Sequence, residues 1–161
     1  MRVIGIDPGS HITGYGVVEE AGGRFVHVDN GCLVTQPSLP FAQRLLTIHQ
    51  GLLEMLNRYR PDALAVEEVF FAKNVASSIK LGEARGVVLL SAAEKNLPIF
   101  EYAPREVKQA ITGYGQADKQ QIQKMVRALL KLPQEAQEDA SDALAVALCH
   151  LQSYRLKEAV G

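Results

Sequence analysis

The run Val3-Ile4-Gly5-Ile6 has no polar face, and it ends in a carboxylate, Asp7, that opens the turn Pro8-Gly9-Ser10. A strand apolar on both sides must be covered on both sides, which puts it at the centre of a sheet. Val17 and Val18 resume the β-branched pattern beyond Thr13-Gly14-Tyr15-Gly16. Residues 3–18 therefore read as an opening β-hairpin around a Gly-rich turn. An acid at the end of a central strand is costly to bury unless something neutralises it, and a divalent cation does so. Taken alone, Asp7 also fits a plainer role, capping its own turn.

The remaining chain alternates strand and helix signals, which predicts an α/β fold. Arg24–Thr35 reads as a third strand with a bend at Gly31, completing a meander. Leu45, Ile48, Leu52, Leu53 and Leu56 form a helical stripe over Phe41–Tyr59, stopped by Arg60-Pro61. Ala63–Val66 is a short buried strand with Glu67 and Glu68 at its end. Ligands of α/β proteins gather at the carboxyl ends of strands, so Asp7 and Glu67 are expected neighbours. Phe70 and Phe71 lie in a connector ahead of a helix over Val75–Lys95 that carries Gly82 and Gly86 four apart. Glycine is unfavourable inside a helix, so the pair predicts close approach of another backbone, from the sheet or, preferably, a second subunit.

A strand at Leu97–Tyr102 and a helix at Pro104–Thr112, carrying Lys108, follow. Beyond Gly113-Tyr114-Gly115, a helix from about Ala117 to Lys131 has Lys119 in its first turn, where the amine and the helix N-terminus suit a phosphate. The last helix, about Ala136–Tyr154, carries Asp139 and Asp142 three apart and hence on one face. Two acids near a helix start are also favoured by the macrodipole alone.

Asp7, Glu67, Asp139 and Asp142 together suit phosphodiester hydrolysis. Acids from two strands and a covering helix can hold two hard cations about 3.5–4 Å apart, one activating the attacking water and one stabilising the leaving oxygen. Mg²⁺ is the expected ion, because it takes oxygen ligands and keeps several waters. Nearby lysines add positive charge to the transition state. The net charge of −1 argues against a polyanion partner, but its distribution does not: residues 69–131 hold ten Lys and Arg against five acids.

At 161 residues the chain fits one domain spanning 1–161. The longest apolar candidate for a membrane span, Val87–Ala93, is broken by Ser91, so no membrane role is expected. Met1-Arg2 leads straight into a strand-like run without a signal-peptide core. Cys32 and Cys149 lack metal-ligand spacing and read as buried thiols of a reducing compartment, hence a cytoplasmic location.

Five blocks, in order along nearly the whole chain, closely resemble the RuvC family of bacterial Holliday junction resolvases. They are Gly5-Ile6-Asp7-Pro8-Gly9-Ser10 with Thr13-Gly14-Tyr15-Gly16; Ala65-Val66-Glu67-Glu68-Val69-Phe70; Lys80-Leu81-Gly82-Glu83-Ala84-Arg85-Gly86; Glu101-Tyr102-Ala103-Pro104 with Val107-Lys108-Gln109; and Asp139-Ala140-Ser141-Asp142-Ala143-Leu144-Ala145.

The resemblance implies an RNase H-like fold, a five-stranded mixed sheet flanked by helices. It implies a homodimeric crossover junction endodeoxyribonuclease that makes paired nicks in like-polarity strands of four-way junction DNA during recombination and repair. The ends are expected to be 5′-phosphate and 3′-hydroxyl. The family's metal-binding acids map onto Asp7, Glu67, Asp139 and Asp142, not onto Glu68. Its basic positions map onto Lys108 and Lys119, and its junction-disrupting aromatic onto Phe70, whose physical role would be stacking on an unpaired base. Mg²⁺, with Mn²⁺ able to substitute, and the RuvA–RuvB branch-migration complex complete the expected partners.

Three rival readings share parts of this pattern. An actin-like or sugar-kinase ATPase has a similar first hairpin but needs two such domains, and it leaves Asp139 and Asp142 without a role. A junction-binding protein without nuclease activity would not need all four acids. A related nuclease acting on RNA would differ in groove shape and 2′-hydroxyl contacts, which the acids do not report.

Overall fold

The computed structural model describes residues 1–68 and 73–160. Its elements are β1 (Arg2–Asp7), β2 (Ile12–Ala21), β3 (Arg24–Val34), α1 (Phe41–Tyr59), β4 (Ala63–Glu67), α2 (Val75–Glu94), β5 (Ile99–Tyr102), α3 (Pro104–Thr112), α4 (Lys119–Leu130) and α5 (Glu138–Val160). The five strands form one mixed sheet in the order β3-β2-β1-β4-β5. β1, β2 and β3 pair antiparallel, while β4 lies parallel to β1 and β5 parallel to β4. β1 is central, as its two apolar faces require. This is the RNase H-like, five-stranded mixed sheet expected from the resemblance.

Alternation along the strands divides the core into two layers. Ile4, Ile6, Leu64 and Val66 turn to the face covered by Ile48, Leu52 and Leu56 of α1 and Ala84, Val88 and Ala92 of α2. Val3, Ala63 and Ala65 turn to the other face, with Val107 and Ile111 of α3, Ile122 and Val126 of α4, and the middle of α5. By the same period of two, Asp7 follows Val3 and Gly5, and Glu67 follows Ala63 and Ala65, onto the α5 face. Leu144, Leu148 and Leu151 of α5 are fully buried, each contributing about 1.5–3 kcal/mol of hydrophobic stabilisation.

The second half of the Gly-rich stretch is strand, not turn. Thr13-Gly14-Tyr15-Gly16 lies within β2, with Gly14 opposite Asp7 and Gly16 opposite Gly5. The reason is α5. A Cβ on Gly5 would stand 1.9 Å from the Ala143 carbonyl oxygen, and one on Gly14 would stand 2.1 Å from the Asp139 carbonyl oxygen. These glycines form a trough that lets the helix backbone rest on the sheet backbone.

Gly82 and Gly86 behave differently from the trough glycines. An added Cβ at either position meets nothing within 4 Å, so the sheet is not the close neighbour that their spacing suggested. Cys149 is buried as expected, but Cys32 is only partly buried, because β3 is an edge strand. No helix among the described residues is long and apolar enough to cross a membrane.

Candidate active site

Asp7 and Glu67 end adjacent parallel strands, one residue beyond the Ile6–Val66 pair. The turn after Asp7 is pinned from several sides. Thr13 Oγ1 donates to the Gly9 carbonyl at 2.8 Å, and Thr35 Oγ1 and Arg44 Nη2 both donate to the Ser10 carbonyl at 2.7 Å. The trough then sets α5 so that Asp139 lies over Gly14, the cross-strand partner of Asp7. Asp142 is one helical turn further on the same side. Four carboxylates thus meet at one end of the sheet.

Two lysines close the other side of the cleft. Asp118 caps α4, its Oδ1 accepting from Gln121 N at 2.8 Å while Gln121 Oε1 accepts from Asp118 N at 2.9 Å. This capping box fixes the start of α4 and hence Lys119, its first residue. Lys119 Nζ forms an ion pair with Glu138 and stands 4.0 Å from Asp142 Oδ2. Glu106 Oε2 accepts from Ala103 N at 2.7 Å and holds the start of α3, which carries Lys108. A cavity of about 240 Å³ is lined by Glu67, Asp142, Lys108 and Lys119, with Pro104, Val107, Ile122 and Ala145 as its apolar wall.

The acids raise one another's proton affinity. Burial, followed by the charges of Asp142, Asp139 and Glu67, pushes Asp7 up to about 8. Burial and then Asp142 raise Glu67, against the pull of Lys108 and Lys119. Burial raises Asp142 as well, with Lys119 opposing and Glu138 and Asp139 reinforcing the shift. Lys119 is raised in turn, first by its hydrogen bond to Glu138. Among the described residues no hydrogen-bond donor stabilises the charged form of Asp7 or Glu67. Partly buried carboxylates without donors are an arrangement that a cation satisfies.

The donor set fits a hard divalent ion. It offers carboxylate oxygens with no thiol or imidazole among them, and an ion such as Mg²⁺ needs only a few of these because it keeps several waters. Among the described residues, no three His, Cys, Asp or Glu side chains are grouped so as to hold a metal ion as they stand.

Residues 3–150 match the sequence model of the family described as Crossover junction endodeoxyribonuclease RuvC. The chain belongs to the RuvC family. The RuvC of Geobacter metallireducens is 55% identical over 157 residues, covering 98% of this chain and 96% of that relative. A solved structure of Thermus thermophilus RuvC, in complex with a Holliday junction substrate, is 40% identical with a TM-score of 0.92, over 98% of this chain and 96% of that one. The yeast mitochondrial Holliday junction resolvase Ydc2 shares the fold at 11% identity, with a TM-score of 0.64 over 95% of this chain and 82% of that one.

Of the seven residues singled out from the sequence, six lie at this end of the sheet: the four acids and the two lysines. The seventh, Phe70, falls outside the described residues. Glu68 is exposed and anchors β4 to β5 through its backbone, its N–H donating to the Tyr102 carbonyl at 2.8 Å. Sequence reading overlooked Glu138, the partner of Lys119. Its four-residue spacing from Asp142 was the available signal, since it puts both on one helix face.

Proposed function

We propose that this cleft is the hydrolytic centre of a Holliday junction resolvase, a structure-selective endonuclease that nicks four-way DNA junctions. One observation carries the reading: acids from two adjacent parallel strands and from α5 converge at one end of the sheet, beside Lys108 and Lys119. Such crowding has a use where divalent cations are the resident counter-charge. Membership of the RuvC family supplies the substrate class, and the relative that carries a junction substrate supports it.

Asp7, Glu67, Asp139 and Asp142 would hold two Mg²⁺ ions, with Mn²⁺ able to replace them, and these supply Lewis acidity to an attacking water and a leaving oxygen. Lys119 is mostly exposed, with 69% of its side chain open to solvent, so its ammonium can meet a phosphate oxygen while one of its N–H groups stays on Glu138. Lys108, across the cavity, adds a second positive charge. Both would stabilise the extra negative charge of the pentacovalent phosphate. The apolar wall of Val107 and Ile122 lowers the local dielectric and strengthens those contacts. Phe70 keeps its expected part, stacking on a base beside the crossover.

Paired nicking needs two sites related by a two-fold axis. The exposed stripe on α2 supports a homodimer: Val75, Ile79 and Leu90 are 76%, 56% and 62% exposed, and Gly82 and Gly86 lie between them with open space above. Small residues flanked by aliphatic ones let two helices pack closely. A single domain over 1–161 is supported by the one sheet shared between both apolar layers. A cytoplasmic location and cooperation with the RuvA–RuvB complex are the family's setting.

The test is a nicking assay on a synthetic four-way junction beside a matched linear duplex, each with Mg²⁺ and with chelator. Symmetric nicks confined to the junction and dependent on Mg²⁺ are expected. Junction binding without cleavage under any divalent ion would overturn the hydrolytic reading.

A further inference from the structure

Gln137, the residue before α5, makes contacts that a helix cap alone does not need. Its Oε1 accepts from Asp139 N at 2.7 Å and from Ala140 N at 3.1 Å. These are the second and third helical positions, the bonds that an N-cap side chain makes. Cys32 Sγ donates to the same oxygen at 3.0 Å. Two backbone N–H groups can only donate, so the atom facing them must be the amide oxygen. The other end of the amide is then the NH₂ group, and it lies 2.8 Å from Asp139 Oδ2. Helix capping therefore fixes which end of the amide meets the carboxylate.

The choice of residue points the same way. Ser, Thr, Asp and Asn are the favoured N-caps, and glutamine is not among them. A shorter cap would serve the helix as well or better. The longer side chain gains a sideways reach, which here ends on the carboxylate of one proposed ligand.

We propose that Gln137 is the positioning residue of Asp139: its amide holds Oδ2 and leaves Oδ1 free for the cation. This rests on reading Asp139 as a metal ligand. Partners of this kind orient a ligand and pre-select its donor atom, and their loss typically weakens metal binding by about 10–100-fold. Gln137 touches neither the cation nor the phosphate, so it is not a catalytic residue. Its effect belongs to metal affinity and not to the maximum rate.

Gln137→Ser separates capping from positioning, since serine caps well but lacks the amide arm. Mn²⁺ binding by titration calorimetry without DNA, melting in chelator, and the Mg²⁺ dependence of nicking would be measured on the full chain. The variant is expected to bind Mn²⁺ at least about tenfold more weakly while melting within about 2 °C of the parent. The Mg²⁺ concentration for half-maximal nicking should rise by a similar factor, with most of the maximum rate recovered at saturation. Unchanged Mn²⁺ affinity would overturn the proposal. So would a melting temperature that falls together with the affinity, which would mark a cap and nothing more. Gln137→Thr repeats the comparison with a second neutral cap should the serine variant not fold. Asp7→Asn serves as the control: if it binds Mn²⁺ like the parent, the metal-site reading fails, whatever Gln137→Ser does.

Discussion

Replacing Asp7 by Asn is expected to abolish cleavage and, in chelator, to make the protein more stable. Burial and the neighbouring acids lift this carboxyl from 3.8 to about 8. A group whose pKa is raised on folding stabilises the native state below its unfolded value and loses that contribution as the pH climbs towards the folded one. The window therefore runs from pH 3.8 to about 8. Each pH unit within it costs about 1.4 kcal/mol, so at pH 7 the penalty is at most about 4 kcal/mol. Screening by solvent at this partly open site reduces it to roughly 2 kcal/mol.

Asn is neutral at every pH and escapes the penalty. At about 2–4 °C per kcal/mol for a chain of this size, the variant should melt roughly 4–8 °C above the parent at pH 7. The gap should close towards pH 4. Saturating Mg²⁺ should reverse the order, because it stabilises only the protein that binds it. Circular dichroism melts across this range, in chelator and in Mg²⁺, would be run beside the nicking assay. A variant that melts at or below the parent at pH 7 and pH 8 in chelator would refute the electrostatic crowding, and one that still nicks would remove Asp7 from the metal site.

Further outcomes test the surrounding parts. Lys119→Ala should lower nicking by about 10²-fold with little change in melting temperature, since its ammonium is mostly exposed; a large thermal loss would mark a structural role instead. Gly5→Ala should destabilise by about 3 kcal/mol or more in urea melts, because the new methyl meets the Ala143 carbonyl oxygen at 1.9 Å. Near-parental stability would show that α5 can lift off the sheet. Ile79→Glu should convert a dimer to a monomer in sedimentation velocity, and a dimer that survives would place the interface elsewhere. Chelation should stop nicking yet leave junction binding intact in a gel-shift assay; loss of binding would make the cation part of the DNA interface.

Much of the frame was legible because its signals are local. The stripe from Leu45 to Leu56 between Pro40 and Pro61 fixes α1 at Phe41–Tyr59, and Pro104 opens α3. The parity of Val3, Gly5 and Asp7, matched by Ala63, Ala65 and Glu67, already puts both strand acids on one face. Gly14 and Gly16 were misread because a glycine's local meaning is a turn, whereas theirs is the depth of a helix distant in sequence. Glu138 and Gln137 escaped notice for two different reasons. Glu138 shares a helix face with Asp142, but its partner Lys119 comes from α4 and is set by how the two helices meet. Gln137 lies only two residues from Asp139, and a helix read as starting near Ala136 hides that it is the residue before α5.

The bare contact between α5 and the strands has a consequence for motion. Elsewhere in the core, helix and sheet are separated by side chains that can change rotamer and let one element slide over the other. Between Gly5, Gly14 and α5 there is no such layer. The helix carrying Asp139 and Asp142 cannot roll or ratchet along the sheet without parting from it, so opening this end amounts to unfolding the centre of the protein. Amide exchange should be slowest here. A centre this stiff works as a fixed die, and the work of conforming passes to the nucleic acid. DNA that bends and unstacks cheaply, as at a branch point, would be accepted, and a stiff continuous duplex would not.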